Sequence, residues 1–213
     1  MNIVPVIISA GMILLVATQF VSVALAVLRK LLWRTSAKCG PDGVTIIKPV
    51  CGLENNLRRT LRSSFAIDYP QYELIFCVAS PDDPAIPLVR ELIASHPAAD
   101  AHLLIGDDKI SQNPKLNNIW KGWRAAKYDW VVISDSNVLV PPAYIDDLRE
   151  RWSSATSVIC SPPVGSDAEG LAAALEAAFL NTYQARWQLV ADFLRYGYAQ
   201  GKTMMLSRRE LEH

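Results

Sequence analysis

From Met1 to Leu28 the chain carries no charged side chain, and then Arg29, Lys30, Arg34 and Lys38 come in quick succession. About 20 consecutive apolar residues suffice to cross a bilayer. The run therefore predicts a transmembrane anchor over residues 1–30, and its basic flank predicts that the remainder of the chain faces the cytoplasm. Ala24-Leu25-Ala26 has the form of a signal-peptidase site, but the apolar run is too long for a signal peptide and lacks a basic segment ahead of it. Residues 31–42 read as a juxtamembrane linker.

Beyond Gly43 the pattern alternates between short β-branched runs and stretches with helical spacing. "VTIIKPV" (44–50), "YELIFCVAS" (72–80), "AHLLIG" (101–106), "WVVISD" (130–135) and "SVICSPP" (157–163) read as strands, and "KTMMLS" (202–207) as a last one. Between them, "ENNLRRTLRSSF" places Leu57, Leu61 and Phe65 four apart behind an asparagine cap. Asp83 and Pro84 open a second helix as N-cap and first residue. "NPKLNNIWKGWRAAK" puts Leu116, Ile119, Trp120 and Trp123 on one apolar face, with Trp120 and Trp123 read as core. "PPAYIDDLRERW" starts a further helix, and the segment after Gly170 predicts one long helix with a broad apolar face, read as core packing first and membrane contact as the alternative. Repeated strand–helix alternation with short loops predicts one α/β domain over 43–213, a mainly parallel sheet flanked by helices. No internal repeat or low-complexity segment interrupts it.

Composition narrows the partners. Lysine plus arginine equals aspartate plus glutamate at 21 each, so there is no basic field to suggest nucleic acid. The four cysteines (Cys39, Cys51, Cys77, Cys160) form no C-x-x-C and read as free thiols, Cys77 and Cys160 within strand-like runs. The three histidines share no ligand spacing. The phosphate-binding glycine motifs G-x-G-x-x-G and the Walker loop are absent.

In an open parallel sheet, ligands gather beyond the carboxyl ends of the strands. Polar clusters fall there: Lys48 (with Pro49) after the first strand, Asp82-Asp83 after the second, Asp135-Ser136-Asn137 after the fourth. Asp135 and Asn137 offer hard oxygen ligands for Mg²⁺ or Mn²⁺; an Asx-turn closing the strand accounts for the same residues equally well. Asp83 serves either as a helix cap or, with Asp82, as an acceptor for a base or ribose. Lys115 lies in the first turn of its helix, where a cation opposes the helix dipole. It shares a face with Asn118, three residues on, and a helix start bearing an ammonium reads as a diphosphate site.

Taken together, "IIKPVCGLENNL", "DYPQYELIFCVASPDDPAI", "NPKLNN", "AAKYDWVVISDSNVLVPP" and "GKTMMLSRRELE" resemble the membrane-anchored ceramide glucosyltransferase family, along nearly the whole chain. The resemblance implies a GT-A-like fold behind the N-terminal anchor. It implies an inverting hexosyltransferase that moves a sugar, glucose first, from a UDP-sugar to a membrane lipid alcohol such as ceramide, using a divalent cation. Asp83 (with Asp82) would match the family aspartate near the nucleotide, and Asp135 the one at the metal and diphosphate. A hopanoid-lipid sugar transferase is the near alternative, and a nucleotide-sugar-binding remnant without transfer is the distant one. The family carries a further acidic segment, a Q-x-x-R-W motif and more membrane helices, all expected past His213. "QARW" (184–187) has one spacer residue too few and reads as helix surface and core. The catalytic base is accordingly expected beyond His213, since Asp192, Glu210 and Glu212 have no motif behind them.

Overall fold

The computed structural model describes residues 3–32, 42–153 and 156–211. Most of the expected linker lies outside them, with Arg34, Lys38 and Cys39, and so does Glu212. Two compact units form, and each is described by itself.

The first unit holds helix α1 (Ile3–Leu31), helix α6 (Leu171–Phe179), a π-helical turn (Leu180–Gln184) and helix α7 (Ala185–Phe193). α1 is long and apolar enough to cross a membrane, and only 6% of its most apolar window is buried. Two of its hydroxyls are satisfied within the helix: Thr18 donates to the Leu14 carbonyl and Ser22 to that of Gln19, which removes the cost of carrying them in an apolar medium. α7 packs along α1, with Arg29 paired to Asp192 and Arg186 donating to Gln19. The long helix expected after Gly170 is thus broken by a π-turn. The core role expected for its apolar face does not hold for α6: none of its residues is buried, and Leu171, Leu175 and Phe179, followed by Tyr183, stand exposed four apart.

The second unit holds six strands: β1 (Val44–Val50), β2 (Tyr72–Val78), β3 (Ala101–Ile105), β4 (Trp130–Ser134), β5 (Val158–Cys160) and β6 (Thr203–Ser207). They form one sheet in the order β3-β2-β1-β4-β6-β5. β1 pairs in parallel with β2 and β4, and β2 with β3, whereas β6 runs antiparallel to β4 and β5. The expected mainly parallel α/β architecture is what the chain adopts. β1 is buried at every position, the signature of a central strand covered on both faces. One face, with Val44, Ile46, Phe76 and Val132, packs against helices α2 (Leu57–Ser63), α3 (Ile86–Ser95) and α5 (Tyr144–Arg149). The other, with Ile47, Ile75, Cys77 and Val131, packs against α4 (Pro114–Ala125). A short α8 (Arg208–Leu211) comes after β6. Each fully buried Leu, Ile or Phe contributes about 1.5–3 kcal/mol, so these two layers fix the sheet between its helices.

Two helix starts and one helix face differ from expectation. Asn56 precedes α2 with φ 60° and makes no side-chain cap. α3 begins at Ile86, after Ala85, and Asp83 instead closes the turn ahead of it by accepting from the Ala85 N–H at 2.8 Å. On α4 the face turned to the sheet is Asn117, Asn118, Ile119 and Gly122, while Leu116 is exposed and Trp120 half-buried. Trp123 does pack against the smaller core. Packing space decides the α4 face: a Cβ at Gly122 would lie 2.8 Å from both the Cys77 sulfur and Ile47 Cγ2.

Candidate nucleotide-sugar site at the switch between strands β1 and β4

The chain runs from β1 through β2 to β3 on one side, then crosses back so that β4 lies on the other side of β1. Ligands of open α/β sheets settle in the crevice where the winding direction reverses. Here that crevice lies past the carboxyl ends of β1 and β4, and the segment Asp135–Asn137 begins there.

Main-chain bonds shape this segment. The Asp135 N–H donates to the Lys202 carbonyl at 3.1 Å, and the Val138 N–H closes a turn on the Asp135 carbonyl at 3.2 Å. Thr60 donates to the Ser136 carbonyl at 2.6 Å, and the Ser136 hydroxyl to Glu54 at 2.8 Å. Asn137 lies within that turn without a positive φ, and the Asp135 carboxylate is turned to two lysines. Its Oδ1 lies 2.5 Å from Lys115 Nζ and its Oδ2 3.5 Å from Lys202 Nζ. Both carboxylate oxygens thus face lysine ammoniums, and Oδ1 is buried. Lys202 also donates to Asn137 Oδ1 at 3.0 Å, and Lys115 to the Gly201 carbonyl at 3.2 Å.

Lys48 sits inside β1 rather than after it and is 1% exposed. Its ammonium donates to Ser134 Oγ and to the Asp135 carbonyl, both at 3.1 Å. Burial pulls its pKa down to about 7, with the Asp135 charge opposing in part. The folded chain therefore sheds this proton near pH 7, whereas the unfolded chain keeps it to about pH 10.4. Between those values the unfolded state binds more protons, so stability rises with pH. In metal-free buffer, denaturation of wild type against Lys48→Met should show the wild type gaining about 2 kcal/mol relative to the variant between pH 7 and 9. Parallel pH profiles would refute the shift.

The other expected donor residues are distributed differently. Pro49 is buried in β1 opposite Cys77. Asp83 accepts from the Gly52 N–H at 3.0 and 3.1 Å as well as from Ala85, tying the loop after β1 to that after β2. Asp82 beside it is exposed. Asn118 is 5% exposed, with its amide spent on the Cys77 carbonyl (2.8 Å) and on Lys121 Nζ (2.6 Å). It ties α4 to the end of β2, since a buried amide must be paired. The start of α4 is likewise occupied: Asn113 accepts from the Lys115 and Leu116 N–H groups, and Pro114 has none to offer. The expected anion site made of helix N–H groups is therefore reduced to the Lys115 ammonium and the helix dipole.

Sequence reading missed Lys202. Its signal is the pairing of β6 with β4, which sets Thr203 opposite Ser134 and so Lys202 beside Asp135. It also missed Glu73, Asp100 and His102, whose ligand atoms lie within 4.8 Å of one another. These sit at the amino ends of β2 and β3, the opposite rim of the sheet from Asp135. Their atoms are engaged: Glu73 accepts from Thr45 at 2.6 Å and from the Lys127 N–H at 2.5 Å, and Asp100 meets His102 at 2.8 Å and Lys127 at 3.2 Å.

Known proteins resemble this chain in sequence or in fold. Ceramide glucosyltransferase 1 of Caenorhabditis elegans is 36% identical over 191 residues, covering 85% of this chain and 40% of its own length. Ceramide glucosyltransferase of Komagataella phaffii is 45% identical over 103 residues, covering 46% of this chain and 20% of its own length. The chain thus spans well under half of these curated relatives. Among solved structures, a mannosyltransferase of Pyrobaculum calidifontis in complex with GDP-Man and Mn²⁺ superposes with a TM-score of 0.63 at 17% identity. It covers 94% of this chain and 56% of its own. A glucosyl-3-phosphoglycerate synthase of Mycobacterium tuberculosis gives 0.51 at 18% identity over 84% of this chain and 64% of its own. These likenesses establish the GT-A-like fold. The family model described as glycosyl transferase family 21 matches residues 10–213, and the chain belongs to that family.

Proposed function

We propose that this chain is the donor-binding part of a membrane-anchored hexosyltransferase that transfers a sugar, glucose first, from a UDP-sugar to a lipid alcohol such as ceramide. One observation carries the reading: Asp135, from the end of β4, and Lys115, from the start of α4, meet at 2.5 Å at the switch-point rim. Both lie within the stretch matched by the family. A carboxylate and an ammonium at one rim are the two charges needed to hold a cation and a diphosphate together.

The donor set fits a hard divalent cation. Asp135 Oδ1 is buried against the Lys115 ammonium, and Asp135 Oδ2 and Asn137 Oδ1 face one and the same ammonium. Mg²⁺ and Mn²⁺ take one or two protein oxygens and complete their shell with phosphate and water. A cation held there would neutralise the departing diphosphate. Lys115 would steady the same charge as a fixed donor. Lys48 holds the Asp135 carbonyl, and Thr60 and Lys202 hold the backbone around it, so the main chain beneath the carboxylate is fixed in place. Asp82 has the exposed carboxylate for the nucleoside, while Asp83 keeps the two loops beneath it in place. Deprotonation of the acceptor hydroxyl needs a carboxylate that we assign to none of the residues of this chain.

The acceptor is inferred from the anchor. α1 is able to span a bilayer, and its basic flank supports a cytoplasmic position for the domain after it. The exposed stripe Leu171, Leu175, Phe179 and Tyr183, in the same unit as α1, supports contact with acyl chains. Expression of the whole protein in membranes with UDP-glucose and either ceramide or a hopanoid alcohol tests this. Glucosylceramide as the product supports the reading, and transfer to the hopanoid alone moves the protein to the neighbouring lipid class. UDP binding without transfer to any lipid would reduce it to a nucleotide-sugar-binding protein.

A further inference from the structure

Three oxygens suited to a cation are covered by two lysines of the chain itself. Asp135 Oδ1 faces Lys115 Nζ at 2.5 Å, and Asp135 Oδ2 and Asn137 Oδ1 face Lys202 Nζ at 3.5 and 3.0 Å. Two ammoniums carry the charge of one divalent ion. Lys202 is anchored at its base, because its carbonyl accepts the Asp135 N–H at 3.1 Å, while its side chain is 39% exposed. The backbone is thus fixed and the arm is free to turn. Resting on the proposed donor site, we propose that Lys202 is a diphosphate-binding residue that occupies the cation ligands until the donor arrives, then exchanges Asp135 and Asn137 for the pyrophosphate.

Charge and geometry require the exchange. Lys202 cannot stay on Asp135 Oδ2 and Asn137 Oδ1 once those lone pairs ligate a cation, since like charges at that spacing repel strongly. Its ammonium must then find an anion within the reach of its own stem. The diphosphate that comes with the cation is the anion at hand. Lys115 has the same choice, but it also keeps a bond to the Gly201 carbonyl; Lys202 has no such second main-chain acceptor among the hydrogen bonds of the described residues. The consequence is coupling: the lysine arm penalises the cation alone and rewards the cation with diphosphate. Cation and diphosphate should therefore each raise the affinity of the other by one common factor.

The test uses the full chain in detergent micelles, with Mn²⁺ binding measured by electron paramagnetic resonance and UDP binding by calorimetry. Lys202→Met keeps the stem and removes the charge. It should bind Mn²⁺ alone about five- to tenfold more tightly than wild type, bind UDP with Mn²⁺ about tenfold more weakly, and, with UDP binding in the absence of metal unchanged, reduce the coupling factor by about tenfold. Lys202→Arg should restore most of the coupling. If Lys202→Met leaves both affinities unchanged, or weakens Mn²⁺ binding as well, Lys202 is a brace of the loop and the proposal is wrong. A wild type that binds no UDP in the presence of Mn²⁺ would instead refute the donor site itself, and this inference with it.

Discussion

Asp135→Ala is expected to lower the affinity for UDP in the presence of Mn²⁺ by about 100-fold, or about 2.7 kcal/mol, and to remove the dependence on Mn²⁺ altogether. The fold should survive. The interactions that shape the 135–137 segment run through the Asp135 main chain, whose N–H meets the Lys202 carbonyl and whose carbonyl meets Lys48, and alanine keeps both. What disappears is the carboxylate, with both of its lysine contacts. In the absence of metal the sign should reverse. Lys115 and Lys202 are then released from Asp135, and UDP should bind the variant at least as well as it binds wild type. Calorimetry with and without Mn²⁺ separates these outcomes. A uniform loss under both conditions would mean that Asp135 holds the loop rather than a ligand.

Gly122→Val is the larger test of how the fold serves the site. α4 carries Lys115 at one end and lies against the sheet at Gly122, where any Cβ meets two buried atoms, on Cys77 and Ile47, at 2.8 Å. Replacing glycine inside a helix gains up to about 1 kcal/mol from propensity. Overpacking a closed core costs about 1–3 kcal/mol, sometimes more. Cys77 and Ile47 are both 0% exposed and belong to central strands, so neither yields readily and the cost should prevail. A net loss of about 2 kcal/mol corresponds to a fall in Tm of about 4–8 °C for a chain of this size. Because the helix must lift to relieve the contact, UDP affinity should fall with it. An unchanged Tm would mean that α4 lies further from the sheet than described.

The strands were legible in the sequence because β-branched runs bounded by proline and glycine have few other homes. "VTIIKPV" reads as a buried strand and is one. The helices were legible in position but not in facing. Leu116 reads as core and Asn118 as part of the Lys115 face, yet Asn118 and its neighbour Asn117 lie underneath. Two local demands outweigh hydrophobicity there: the β2 carbonyl at Cys77 needs a donor, which Asn118 supplies, and only Gly122 permits close approach on that side. Asp135 and Lys115 could be named because each sits where a polar residue is out of place, at a strand end and in a first helical turn. Their meeting could not be read, because it depends on β4 crossing back beside β1. Lys202 was hidden for the same reason. Its position depends on the antiparallel pairing of β6 with β4, and no spacing within "GKTMMLS" encodes that neighbour. Asp83 looked like a helix cap and is a tie between two loops, a distinction that only tertiary structure makes.

Whether a cation on Asp135 and the ammonium of Lys115 enclose one pyrophosphate is tested most directly by anomalous diffraction from crystals grown with Mn²⁺ and UDP. The predicted result is an Mn²⁺ peak within about 2.5 Å of an Asp135 carboxylate oxygen, with Lys115 turned from that carboxylate onto the diphosphate. A peak among Glu73, Asp100 and His102 at the opposite rim of the sheet, with Asp135 still held by its two lysines, would contradict it.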